Sequence, residues 1–117
     1  MTAARYDLTI DQGSDFSLEL TVKESNSAKN LTGWFARAQL RSSKESASAA
    51  ATFSSTITSA SAGKLTMSLP YGTSDDMTAG LYYYDLEIYE AASAAASAVQ
   101  VSRLIHGTAN IRREVTR

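Results

Sequence analysis

The side chains able to do chemistry in this sequence are few, and their types limit that chemistry sharply. His106 is the single histidine and there is no cysteine, so neither a relay through a second histidine nor a multi-histidine or thiolate metal site can be assembled. General acid–base work needs oriented partners, and a lone strand histidine beside Gly107 reads as a packing or surface residue. Asp75 and Asp76, with Asp85 and Glu87 further along, form the best carboxylate group for calcium. That ion takes several oxygens at roughly 2.3–2.6 Å from a fixed loop. Their spacing matches no calcium loop, and solvated acids on a turn and a strand face are the plainer reading. No nucleophile is placed with a base, so the sequence supports no enzymatic catalysis, no metal and no cofactor.

What remains is recognition by aromatic and cationic side chains. Read with period two, Tyr82, Tyr84, Leu86 and Ile88 share one face of a strand, and Tyr83, Asp85, Glu87 and Tyr89 share the other. The first set belongs to a core. If the second faces outward, Tyr83 and Tyr89 are rigid interface anchors that Phe35 can join; the alternative is that a second sheet or a long loop covers them. Trp34 is expected to pack in the core against Tyr84 or its neighbours, with a sugar-stacking platform as the sharper alternative. Arg103, Arg112, Arg113 and Arg117 bias the last strand and tail toward positive charge. Solubility explains that bias, and so does a tether onto an acidic partner.

The elements that must position these groups are strands. With 117 residues the chain is expected to form one domain, 1–117, too short for separate substrate and cofactor domains. A net charge of −1 argues against a nucleic-acid footprint built on phosphate neutralisation. No run of 18 apolar residues and no apolar signal core occur, so the expected product is soluble, made in the cytoplasm and free of membrane.

Tyr6, Leu8 and Ile10 alternate with polar residues, and Asp11–Asp15 supplies a glycine-containing turn. Phe16, Leu18, Leu20 and Val22 then alternate with Ser17, Glu19, Thr21 and Lys23. After the polar loop 24–30, Trp34, Ala36, Ala38 and Leu40 oppose Phe35, Arg37, Gln39 and Arg41. The serine- and alanine-rich stretch 42–51 reads as a loop, 52–58 and 64–69 as strands joined by a turn ending at Gly63, and Pro70 as a strand terminator. The segment 72–77 reads as a loop or one helical turn capped by Thr73 or Ser74. The tyrosine strand follows, then an Ala/Ser-rich hairpin tip at 90–98. Val99–Val115 is read as one long extended stretch of a single parity, with a bulge or bend at Gly107 and a polar, basic tail at 112–117. About seven antiparallel strands in an immunoglobulin-like β-sandwich are the expected architecture. The Gly-x-Tyr-x-Tyr spacing of Gly80, Tyr82 and Tyr84 resembles the tyrosine corner of such domains, in which a hydroxyl bonds back to nearby backbone.

Taken in order, Asp7-Leu8-Thr9-Ile10-Asp11-Gln12-Gly13, Leu18-Glu19-Leu20-Thr21-Val22-Lys23, Asn30-Leu31-Thr32-Gly33-Trp34, Ala36-Arg37-Ala38-Gln39-Leu40-Arg41, Gly63-Lys64-Leu65-Thr66 and Ala79-Gly80-Leu81-Tyr82-Tyr83-Tyr84-Asp85 resemble small structural proteins of tailed bacteriophages. The N-terminal domain of the phage baseplate upper protein is one example. The Ala/Ser-rich insert at 90–98 departs from the usual pattern of that family. The resemblance implies a non-enzymatic virion protein that docks tail, neck, baseplate or fibre components, in multiple copies around a symmetry axis. It implies protein partners, no nucleic acid and no small-molecule substrate. A carbohydrate-binding or host-adhesion module, with Tyr83, Tyr89, Trp34 and Phe35 stacking on sugar, and a capsid decoration protein are the alternatives.

Overall fold

The alternating segments become strands in a computed structural model that describes residues 4–24, 26–93, 96–113 and 115. In chain order these are β1 (Ala4–Arg5), β2 (Leu8–Asp11), β3 (Phe16–Thr21), β4 (Lys23–Glu24), β5 (Ser27–Ala28), β6 (Trp34–Arg41), β7 (Ala51–Ser59) and β8 (Lys64–Leu69). A single helical turn, α1 (Tyr71–Asp75), leads to β9 (Gly80–Glu90) and β10 (Gln100–Arg112). The class is all-β, as the alternation implies, in the form of one curled mixed sheet. Its strands run β1-β10-β9-β6-β7-β8-β3, with β2 also on β10, and β4–β5 forms a separate small hairpin.

Two features differ from an arrangement of about seven antiparallel strands. Ten strands are present among the described residues, and β1 and β2 both pair parallel to β10, at Ala4↔Ile105 and Leu8↔Ala109. Side-chain alternation reports which face is buried and carries no information on strand direction, so the parallel edge left no mark in the pattern. The curl is made within β7. Its first residues, Ala51–Phe53, pair with β6, and from Ser54 onward it pairs with β8. One strand thus belongs to two leaves, β2/β10/β9/β6 and β7/β8/β3, whose inward side chains meet.

Ile10, Leu40, Leu65, Met67, Leu69, Leu86, Ile88 and Ile111 are almost completely buried between those leaves. Burying each large aliphatic side chain contributes about 1.5–3 kcal/mol relative to leaving it exposed. Phe16, Leu18 and Leu20 on β3 are only half-buried, because β3 is the last strand of its leaf.

β10 does not keep one parity. Its register on β9 shifts between Arg103 and Ile105, with Leu104 as the extra residue. Val101 and Arg103 therefore lie outward while Ile105, Ala109 and Ile111 are buried. The bulge sits at Leu104 rather than at Gly107, whose reason is different: a Cβ there would lie 2.7 Å from the Tyr6 carbonyl oxygen and from Asp7 Oδ1. Gly107 lets the N-terminal backbone come close.

The loop expected over 42–51 is present up to residue 50, with Ala51 already in β7, and the turn before Gly63 and the strand stop at Pro70 are present. The helical turn has no side-chain cap from Thr73 or Ser74. Instead Asp15 Oδ1 accepts the Tyr71 N–H at 2.8 Å. Ser74, fully buried, accepts the Gly13 N–H and donates to the Ser14 carbonyl, so it ties α1 to the β2–β3 turn. At the 90–98 tip, β9 runs through Glu90 and the Val99 N–H closes the hairpin on the Glu90 carbonyl at 2.7 Å. Ala94 and Ala95 lie outside the described residues.

Candidate docking face

The outer face of β6, β9 and β10 is built from the positions that alternate with the core. Register places Arg41 beside Tyr83 and Tyr83 beside Thr108, then Gln39 beside Asp85 and Asp85 beside His106. These side chains surround a depression of about 300 Å³ whose walls also include Arg5, Lys44 and Arg103. Tyr83 is half-buried within it, and Lys44 Nζ stands 5.7 Å from the centre of its ring. Arg103 pairs with Asp85 at 3.2 Å. Arg41 donates to the Ser46 carbonyl at 2.8 Å and to Gln39 Oε1 at 2.9 Å, which fixes both its guanidinium and the loop carrying Lys44. Among the described residues no carboxylate lies within ion-pair distance of Arg41 or Lys44. The depression therefore carries uncompensated positive charge, although the whole chain is slightly acidic.

The same face is closed at its other end. Tyr89 is only 7 % exposed, which corrects its assignment as an outward anchor. Its strand neighbour Phe35 stacks on it with ring centres 5.7 Å apart, and the Arg37 guanidinium lies 4.6 Å from the ring centre. Arg37 in turn holds Glu87 at 2.5 Å. Phase alone put Tyr89 outside; long neighbours on the adjacent strand cover it there. Phe35, half-buried, is the cover rather than a separate anchor.

Trp34 packs at the margin of the core with Lys29 Nζ 4.7 Å from its ring centre. Its strand partner is Glu90, whereas Tyr84 pairs with Leu40, so roughly 20 Å of strand at about 3.3 Å per residue separates them. The ring that meets Tyr84 is Phe53, edge-on at 6.3 Å.

Two tyrosine hydroxyls hold the face in place from behind. Tyr82 Oη donates to the Thr78 carbonyl at 2.7 Å, a bond back to backbone four residues upstream. Tyr84 Oη donates to the carbonyl of Tyr6, in the two-residue link between β1 and β2. The Tyr6 N–H reaches the His106 carbonyl at 2.9 Å, and the Thr108 N–H donates to Asp7 Oδ1 at 3.0 Å. That backbone donor, followed by Arg5 at 3.4 Å, holds the Asp7 carboxyl below the usual carboxylate range. Burial, reinforced by the Asp7 charge, pushes the Tyr84 phenol well above its ordinary value.

The remaining sequence-derived residues are dispersed. Arg112 pairs with Asp11 at 2.7 Å and so is engaged within the fold. Arg113 is exposed just past β10, and Arg117 lies outside the described residues. Asp75 and Asp76 are exposed on and beside α1, far in role from Asp85 and Glu87, which hold arginines. Among the described residues no three histidine or acidic groups converge as a metal site would require. Of the interface candidates, the structure brings together Tyr83 and Arg103 and adds Arg5, Gln39, Arg41, Lys44 and His106. Alternation in β6 had already put Arg37, Gln39 and Arg41 on the Phe35 face. What was missing was the register that sets Arg41 beside Tyr83. No protein-family model matches the chain, and no curated protein matches it.

Proposed function

We propose that this chain is a non-enzymatic, immunoglobulin-like structural domain of a tailed-phage virion. In this reading it docks onto neighbouring tail, neck, baseplate or fibre proteins through the outer face of β6, β9 and β10. The observation that supports docking is the positively charged depression over Tyr83, fixed by three hydrogen-bonded strands and by the Arg41 contacts to its own loop. Rigid strands carrying a half-exposed tyrosine and arginines have the composition that protein interfaces favour. The ordered succession of strand cues resembling small phage structural proteins supplies the virion address. A sugar-stacking role is the weaker reading, because Tyr89 and Phe35 stack on one another and Tyr83 is itself half-buried. Several copies around a particle axis follow from the same reading.

The test is antibody labelling and imaging of particles assembled with this chain. Label at the tail, neck, baseplate or fibre attachment keeps the reading. Label spread over the capsid lattice replaces it with capsid decoration, and a particle without the chain ends the virion assignment.

A further inference from the structure

We propose that the depression over Tyr83 receives the carboxylate side chains of an acidic polypeptide segment from the docked partner, with Lys44 and Arg41 as the residues that select it. The inference rests on the docking reading and names the chemistry of the partner. Four cationic side chains line the depression: Arg5, Arg41, Lys44 and Arg103. Two of them are already shared, Arg5 with Asp7 at 3.4 Å and Arg103 with Asp85 at 3.2 Å. Arg41 and Lys44 have no acid within ion-pair distance among the described residues; Arg41 is the β6 neighbour of Tyr83, and Lys44 Nζ stands 5.7 Å from the centre of its ring. Arg41 already uses donors on Gln39 and Ser46, which orients its fork before any partner arrives. A carboxylate can take its remaining donors in a planar, two-point contact while Lys44 supplies a point charge. Preorganisation of this kind lowers the ordering cost of binding.

Size and surrounding charge favour a peptide over a polyanion. The depression, at about 300 Å³, accommodates side chains rather than a duplex. The same face also carries acids, Asp85 in the depression and Glu87 beyond it, each already paired with an arginine. A phosphodiester or sulfated chain laid across the face would bring its evenly spaced charges against those acids, whereas a peptide can place carboxylates over Arg41 and Lys44 and neutral residues elsewhere. Asp85 and Tyr83 also line the depression and can accept from the peptide's own donors.

The experiment measures fluorescence anisotropy of a labelled short oligoglutamate peptide against the whole purified chain, at low salt and at about 0.15 M, where screening reaches roughly 8 Å. Saturable binding is expected, weakened about tenfold or more by Lys44→Glu and retained by Lys44→Arg. Lys44 is exposed on a loop, so the charge reversal leaves the fold intact, which its melting temperature checks. Arg103→Glu, a second reversal in the lining, is expected to weaken binding as well. An oligothymidylate and a sulfated polysaccharide serve as competing probes. Absence of saturable peptide binding, equal binding by wild type and Lys44→Glu, or tighter binding of either polyanion would each overturn the proposal. Particle labelling separates this outcome from the docking reading: a chain present at the tail but indifferent to the peptide loses the acidic-segment inference alone.

Discussion

Removing one oxygen, in Tyr84→Phe, tests how the N-terminal strands are held to the sheet. The ring remains packed edge-on against Phe53, so no cavity forms and the loss is that of a hydrogen bond. The Tyr6 carbonyl would be left without its phenol donor in a partly buried position. A net bond is worth about 1 kcal/mol and an abandoned partner about 1–3 kcal/mol, which places the expected cost near 1–2 kcal/mol. In a domain of this size that corresponds to a fall in Tm of roughly 4–8 °C. Urea unfolding should show a lower midpoint with an unchanged slope, because the surface exposed on unfolding is the same. Amide exchange should accelerate first at Tyr6 and along β2, where the bond acts, rather than in β8. The phenol also predicts a pH effect. Its folded-state value is raised by burial, so its contribution is present below the ordinary phenol value of about 10 and is lost as pH rises beyond it. Wild-type protein should therefore lose stability on the alkaline side more steeply than Tyr84→Phe. A variant with wild-type midpoint and unaltered exchange at Tyr6 would refute the view that this hydroxyl anchors the strands.

Three further outcomes follow. Asp7 has its carboxyl lowered by the Thr108 N–H, so its stabilising contribution is present above a pH of about 4 and is lost as the solution is acidified; Asp7→Asn should flatten the acid limb of a Tm-against-pH profile. Gly63 has φ +70° and a Cβ there would lie 2.7 Å from the carbonyls of Lys29 and Val22. Gly63→Ala should therefore cost about 2–4 kcal/mol in urea unfolding, from left-handed strain and overpacking together. Tyr89→Ser should lower stability by about 3 kcal/mol because it empties a covered site, whereas Tyr83→Ser on the same strand should cost about 1 kcal/mol or less; equal losses in thermal melts would contradict the burial difference between them.

Alternation made most of the strands legible, including which side of β6 and β9 would be wet. It failed where a single residue changes the count. Leu104 is an ordinary apolar residue in an ordinary strand, yet as a bulge it reverses the parity of everything beyond it, and so places Val101 outward and Ile105 inward. It also failed where exposure depends on a neighbour's length: Tyr89 has the phase of Glu87, and only the cross-strand placement of Phe35 and Arg37 buries it. The depression over Tyr83 was half visible. Tyr83 and Arg103 stood out as residue types, while Arg5, Lys44 and His106 reach it through the β1 pairing, the loop fixed by Arg41 and the register of β10. None of these is a property of local sequence.

The parallel placement of β2 on β10 bears on how the molecule is made. Asp7 and Thr108 are 101 positions apart, yet they are directly bonded, so the chain must close a loop of nearly its whole length before that edge exists. Closure of such pairings dominates the folding time of β-rich domains. During synthesis β9, with its three consecutive tyrosines, has β6 on one side and waits for β10 on the other. For that interval its backbone edge is a template for any extended chain nearby. Premature pairing at that edge thus competes with the arrival of β10, over roughly the few seconds that ribosomes take to add that strand.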